Sequence, residues 1–303
     1  MKFLVQIFIV IICCCTSCNN KRSNKQTPLY DTFDYGTINI SVDESFKPVI
    51  EEQLQMYHFT YPNTNIKVSY KSEVECFKDL LNDSVRMIIS ARSLSSKEFE
   101  IFKNNLGFEP KNLNVAFDAV AAIVNINNKD SVFSYNELVD ILSGKKNYQV
   151  ILDGNNATST VKYLSDSILR GKPFGKNVVA TNGSDSVIML LKKTQNAIGF
   201  VSNCWISNPF NEVQAEHRKK VKLALIECKI CDEPGTYAKA TQATLMYGQY
   251  PLARPLYYII KESSQGLGTG FGNFLKHERG QLIFKRAGLA PAVINFNKRA
   301  TRL

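Results

Sequence analysis

The chain has 303 residues, 44% of them hydrophobic and 21% charged, with 16 Gly and 10 Pro. That balance excludes a disordered chain, a collagen-like repeat and a polytopic membrane protein, and at about 100 to 200 residues per domain the length fits two domains or one large one. Lys and Arg outnumber Asp and Glu by 37 to 27, a net charge of +10 that favours anionic partners.

The first 17 residues read as an address, not as fold. Lys2 supplies a basic start, residues 3–12 (FLVQIFIVII) an apolar run, and small or thiol residues follow up to Cys18. The run is short for a membrane span, which needs about 20 apolar residues. Cys15-Thr16-Ser17-Cys18 resembles a bacterial lipobox without its usual Leu, which implies cleavage before Cys18 and lipidation (palmitate) of that residue; an uncleaved anchor and plain secretion stay open. Residues 18–35 begin with NNKRSNKQTP after Cys18, polar, basic and without periodicity, as suits a flexible tether.

Beyond the tether, Val- and Ile-rich runs alternate with amphipathic stretches, the pattern of an α/β protein. Residues 37–41 read as a strand, and Phe46, Val49, Ile50 and Leu54 then fall at helical spacing. Pro48 is tolerated only in a first turn, so that helix starts near Ser45. Residues 66–70 and 86–90 read as further strands, and Ser95 with Glu98 and Ser134 with Glu137 match capping boxes at helix heads. The run 117–125 (FDAVAAIVN) has the continuous apolarity of a strand buried on both faces. Strands are expected at 150–152, 178–180, 198–202, 221–226 and 256–260, then helices at about 270–277 and 281–287.

Of eight Cys, Cys13, Cys14 and Cys15 leave with the signal and Cys18 takes lipid. Cys76, Cys204, Cys228 and Cys231 remain, and in an oxidising envelope their pairing is open, as structural disulfides or buried thiols. The Cys228–Cys231 spacing also admits a redox or zinc reading, but it lacks the strand-then-helix setting of the first and the second CxxC of the other. His58, His217 and His277 are scattered among polar sequence and read as solvated, as does the basic cluster His217-Arg218-Lys219-Lys220, which has no interleaved aromatics to mark a nucleic-acid surface. Gly266-Leu267-Gly268-Thr269-Gly270 lacks both the Lys-Ser/Thr of a P-loop and dinucleotide spacing, and reads as a loop. No Gly-x-Ser-x-Gly, His-Glu-x-x-His or paired-carboxylate arrangement appears, so neither catalysis, a metal nor a cofactor is expected.

The order of segments resembles the phosphate-binding proteins of ABC importers, two-lobed type II periplasmic solute-binding proteins, over about residues 36–292. The marks are GTINISVDESFKPVIEE, IISARSLSSKE, FDAVAAIVN, NAIGFVS and the C-terminal GQYPLARPLYYIIK with FGNFLKHERGQLIFKRAGLAPA. The resemblance implies an α/β fold of two lobes with a ligand cleft between them. It divides the chain into lobe I at 36–120, lobe II at 121–241 and a return into lobe I at 242–303. It also implies a monomer that binds inorganic phosphate or a related oxyanion and delivers it to the membrane permease of an ABC importer. A surface lipoprotein reusing the scaffold for sensing or protein interaction is the other reading, and a thiol-disulfide or metal-handling protein built on Cys228 and Cys231 a third.

A small oxyanion is held by backbone N–H groups and hydroxyls at helix N-termini, at the carboxyl ends of strands. Three segments meet this description: Asp43-Glu44-Ser45; Ser90-Ala91-Arg92, whose Arg92 offers a bidentate contact; and the loop 154–160, containing Asn156, Ala157, Thr158 and Ser159. By the resemblance, Ser45 stands at a ligand-binding hydroxyl position and Asn156-Ala157-Thr158 where the family carries Ser-Gly-Thr. Asp118 lies on the inter-lobe strand. An Arg that often precedes that loop is replaced near Leu152. Asp43 and Glu44 stand where hydroxyl residues are usual, and carboxylates there favour an oxyanion that keeps a hydrogen, as phosphate does and sulfate does not.

Overall fold

The computed structural model describes residues 31–154, 158–263 and 265–293. Its strands in chain order are β1 (Gly36–Asp43), β2 (Thr64–Lys71), β3 (Met87–Ser90), β4 (Lys111–Asn125), β5 (Val132–Phe133), β6 (Gln149–Leu152), β7 (Val178–Ala180), β8 (Ala197–Ser202), β9 (Val221–Leu223), β10 (Leu225–Glu227), β11 (Tyr237–Ala238), β12 (Ala253–Ile260) and β13 (Ala290–Pro291). The main sheet runs β2-β1-β3-β12-β4-β8-β6-β7, and β5, β10 and β11 form a small second sheet.

Strand β4 is the axis of the molecule. Its first part pairs antiparallel with β12, Arg254 opposite Asp118, and its last part pairs antiparallel with β8, Val120 opposite Ser202. On one side of this exchange β1 runs parallel to β2 and β3; on the other, β6 runs parallel to β7 and β8. Val115 and Ala116 of β4 enter a core with Ile40, Val42, Phe46 and Phe271, whereas Ala119 to Val124 face cores built on Leu138, Val150, Ile188 and Phe200. The result is a two-lobed α/β fold with a long shared strand. Each fully buried Ile, Leu or Phe in these cores contributes about 1.5 to 3 kcal/mol of transfer free energy.

Local chemistry sets the helix starts. Pro48 sits in the first turn of helix Lys47–Thr60, where its missing N–H removes no bond. The capping boxes at Ser95/Glu98 and Ser134/Glu137 form as expected, and a third, Ser72/Glu75, heads helix Glu73–Leu81.

Four expectations change. The glycine-rich 266–270 segment is not a loop: Leu267 opens helix Leu267–Lys276. Its first amides are taken by side chains from outside the helix, Leu267 N donating to Asp31 (2.7 Å) and Gly268 and Thr269 N to Glu262 (3.1 and 2.7 Å). A Cβ at Gly268 would stand 2.6 Å from the Glu262 Oε1 atom, which is why glycine belongs there. The expected 221–226 strand breaks at Ala224, whose N–H bonds Ala122, so β9 joins β4 and β10 joins the small sheet. His217 is buried, 5% exposed, instead of solvated, and with Arg218 it ends helix Glu212–Arg218, so the basic cluster is not a loop. His58 and His277 are exposed.

Cys228 and Cys231 form a disulfide, and Cys76 and Cys204 are buried free thiols. Among the described residues, no helix is long and apolar enough to cross a membrane, and no group of three or more His, Cys, Asp or Glu is placed to hold a metal ion. Cys18 lies outside the described residues.

Candidate functional site

Strands β1, β3, β6 and β8 end at one level, and the residues at or just beyond their carboxyl ends are Asp43, Ser90, Asp153 and Ser202, all buried. Asp43 turns the chain: its Oδ1 accepts the N–H of Ser45 (3.0 Å), closing a short 3-10 turn over Glu44–Phe46. This puts the Ser45 hydroxyl 3.2 Å from that of Ser159 and 3.5 Å from that of Thr160, so hydroxyls from the two halves of the fold meet. Thr158 caps helix Ser159–Tyr163, accepting from Val161 N (3.2 Å) and donating to Asp153 (2.8 Å).

Beneath these hydroxyls lies Arg254 of β12, 2% exposed. Its Nε donates to Asp118 Oδ2 (3.0 Å) and its Nη1 to Ser159 Oγ (2.9 Å), with the guanidinium over the Phe46 ring at 4.9 Å. Nη2 is ion-paired to Asp118 at 3.0 Å but out of line for a hydrogen bond, and it and the buried Asp43 Oδ2 have no hydrogen-bond partner. Asp118 Oδ1 accepts the N–H of Asn203 (3.1 Å). The Ser45 carbonyl accepts from Trp205 Nε1 (2.8 Å) and from the Cys204 thiol (3.3 Å).

Charge is lopsided here. Among the described residues, three buried carboxylates, Asp43, Asp118 and Asp153, look to the single guanidinium of Arg254. Burial pushes the Asp43 pKa up against the opposing pull of Arg254 and Ser159. Burial also raises Asp153, with Thr158 opposing and Asp43 adding repulsion. Arg254 is held above its ordinary value: burial works against its charge, but Asp118 and Asp43 outweigh it. Glu44 is pushed to about 7 by burial and by Asp153, Asp43 and Glu75. A cluster so acidic accommodates an anion only if a proton stays between the carboxylates and the ligand.

The sequence-derived candidates fall into three sets. Asp43, Ser45, Asp118, Thr158 and Ser159 gather around Arg254. Glu44 stands at the mouth, where a cavity of about 660 Å³ is lined by Glu44, Glu75 and Lys78 on one side and Asp153, Thr158 and Thr181 on the other. The Ser90 segment turns inward on itself: Ser90 Oγ donates to the Arg92 carbonyl (2.8 Å) and Ala91 N to Glu73 (3.1 Å). Arg92 forks onto Glu98 (2.8 and 2.9 Å) and stacks on Phe77 at 3.4 Å. Asn156 and Ala157 lie outside the described residues.

Sequence reasoning passed over Arg254, Asp153 and Glu73, while Thr160 fell within the candidate loop 154–160. A charge between Leu252 and Leu256 in an otherwise apolar strand was the available signal for Arg254.

Glu73, 3% exposed, is raised to about 7 chiefly by burial and by Asp43, against Arg92. A carboxyl whose folded pKa exceeds its ordinary 4.5 stabilises most below 4.5 and loses that contribution as pH climbs to about 7. Unfolding followed across that window is therefore expected to show falling stability in the wild type and a flatter profile in Glu73→Gln; parallel profiles would remove Glu73 as the source.

Two lobes exchanging strands through β4, with polar groups from both meeting over a buried arginine, define the class of two-lobed solute-binding proteins. The chain belongs to the PBP superfamily domain family, whose model matches residues 30–278. A curated relative is the phosphate-binding protein PstS of Pseudomonas aeruginosa, 24% identical over 261 residues, which span 78% of this chain and 76% of the relative. Among solved structures, a Clostridium perfringens protein with bound phosphate superposes with a TM-score of 0.68 at 19% identity, covering 85% of this chain and 100% of that one. An ABC-type phosphate transport receptor from Vibrio cholerae gives 0.60 at 16%, covering 84% and 100%. These structural likenesses establish the fold.

Proposed function

We propose that the protein is an extracytoplasmic receptor that closes its two lobes on inorganic phosphate and delivers it to the membrane permease of an ABC importer. The observation that carries this reading is the meeting of Ser45 with Ser159 above the Arg254–Asp118 pair, donors from both lobes converging at the carboxyl ends of the strands. The names of the relatives point the same way. Lobe I comprises 36–120 and the return 242–303, lobe II 121–241, with β4 and the approach to β12 as the hinge. Ligand contacts come from Asp43, Ser45, Thr158, Ser159, Thr160 and Arg254, with Glu44 at the mouth; Ser90, Ala91 and Arg92 support the wall, and Asn156 and Ala157 are further ligand contacts. Residues 1–17 are a signal peptide, and a lipid on Cys18 tethers the monomer through 18–35. Binding energy from both lobes shifts the population from open to closed, and no bond is made or broken.

Calorimetric titration of the purified mature chain, stripped of carried-over ligand, tests this. Saturable phosphate binding with silence toward sulfate is expected. Silence toward both would sink the phosphate reading and favour sensing or protein interaction on the same scaffold.

A further inference from the structure

A second cavity, of about 860 Å³, lies beside the anion cluster and shares none of the residues proposed to contact the oxyanion. Its size falls in the range of about 300 to 1,000 Å³ typical of small-molecule sites. The walls come from chain segments distant in sequence: the turn after β8, strands β9 and β10, the stretch around Lys239 and helix Glu278–Arg286. Ile206, Val221, Leu223, Leu225 and Leu282 give it an apolar floor.

The polar lining is one-sided. Arg218, Lys222, Lys239, Lys285 and Arg286 all line the cavity, and no Asp or Glu does. Arg218 spends its hydrogen bonds on the carbonyls of Ile206 (2.7 Å) and Asn208 (3.1 Å), and Lys222 on that of Asn128 (2.8 Å). Carbonyls carry no net countercharge, so these cations are fixed in place without being neutralised. Arg286 is paired to Glu52 at 3.1 Å from outside the lining. Lys side chains lay apolar stems along such a floor and hold their charge at its edge. A hydrocarbon floor under a cationic rim matches one chemistry: a molecule with an apolar body and an anionic head.

We propose that this cavity is a binding site for an amphipathic carboxylate, of which an aliphatic fatty acid is the simplest form. The body lies on Leu223, Leu225 and Leu282, and the head faces Lys222 and Lys239. Asn203 forms part of the cavity wall and also donates its N–H to Asp118 (3.1 Å) and its side-chain amide to the carbonyl of Gly288 (2.9 Å). The cavity thus abuts the pair that holds Ser159, while the inference itself does not depend on which anion occupies the cleft.

The test is titration of dodecanoate into the purified full chain, below its micelle concentration, with dodecyltrimethylammonium as the charge-reversed control. A single saturable site for dodecanoate is expected, weakened about tenfold or more in the Lys222→Glu/Lys239→Glu variant, as loss of charge complementarity requires. A comparable loss is expected in Leu282→Glu, which alters the floor at a position already 53% exposed and so leaves folding intact. Equal binding of the cationic control, unsaturable uptake, indifference to both variants, or displacement of dodecanoate by phosphate would each overturn the proposal, the last by putting the carboxylate in the cleft.

Discussion

Replacing Arg254 by Met is expected to abolish measurable phosphate binding and to destabilise the fold together. The guanidinium is the one cation facing Asp43, Asp118 and Asp153 among the described residues, and it holds the Ser159 hydroxyl at 2.9 Å. Removing one partner of a buried ion pair leaves the other charged and unmatched, at a cost of about 3 to 5 kcal/mol. Denaturant unfolding reads that loss directly. Arg254→Met/Asp118→Leu separates the two effects, because deleting both charges of a buried pair is often close to neutral for stability. The double variant should regain part of the unfolding free energy, with Asp43 and Asp153 still lacking their cation, and none of the phosphate affinity. Recovery of binding in it would show that Arg254 serves the fold alone.

Asp43→Asn carries the second large effect, on selectivity. Asp43 is fully buried, one of its oxygens is committed to Ser45 N, and the other has no hydrogen-bond partner. A ligand oxygen placed against it must share a proton with it, which hydrogen phosphate brings and sulfate does not. Sulfate can bind only if Asp43 itself takes up the proton, which becomes harder as pH rises. An amide at this position supplies an N–H to either anion. The preference for phosphate over sulfate should therefore fall by about ten- to a hundred-fold, the worth of one hydrogen bond to a charged group at about 1.5 to 3 kcal/mol. Paired titrations with both anions measure it, and an unchanged preference would place the selectivity elsewhere.

The parts of this architecture that rest on local rules were readable from the chain. Strand periodicity located β1, β4 and β8; Ser95/Glu98 and Ser134/Glu137 announced their helices; and Asp43 and Ser45 were visible as a turn after a strand. What escaped depended on partners far away in sequence. Arg254 reads as one more basic residue in a basic chain until β12 is laid antiparallel on β4 and Asp118 comes opposite. The helix at Leu267 was hidden by its glycines, because the groups that satisfy its first amides are Glu262 and, 236 residues earlier, Asp31. Arg92 shows the converse error: its charge suggested a ligand contact, yet Glu98, three residues into the next helix, takes both arms of the fork.

Trp205 packs against the cores of both halves of the molecule and donates its indole N–H to the Ser45 carbonyl. It is also the one tryptophan in the sequence. An indole that exchanges a carbonyl partner for water changes its emission, so the native chain carries a single built-in fluorophore at the place where Ser45 is held. Opening and closing can then be timed optically in unlabelled protein, with excitation at the red edge of the indole band, where the 13 tyrosines absorb little.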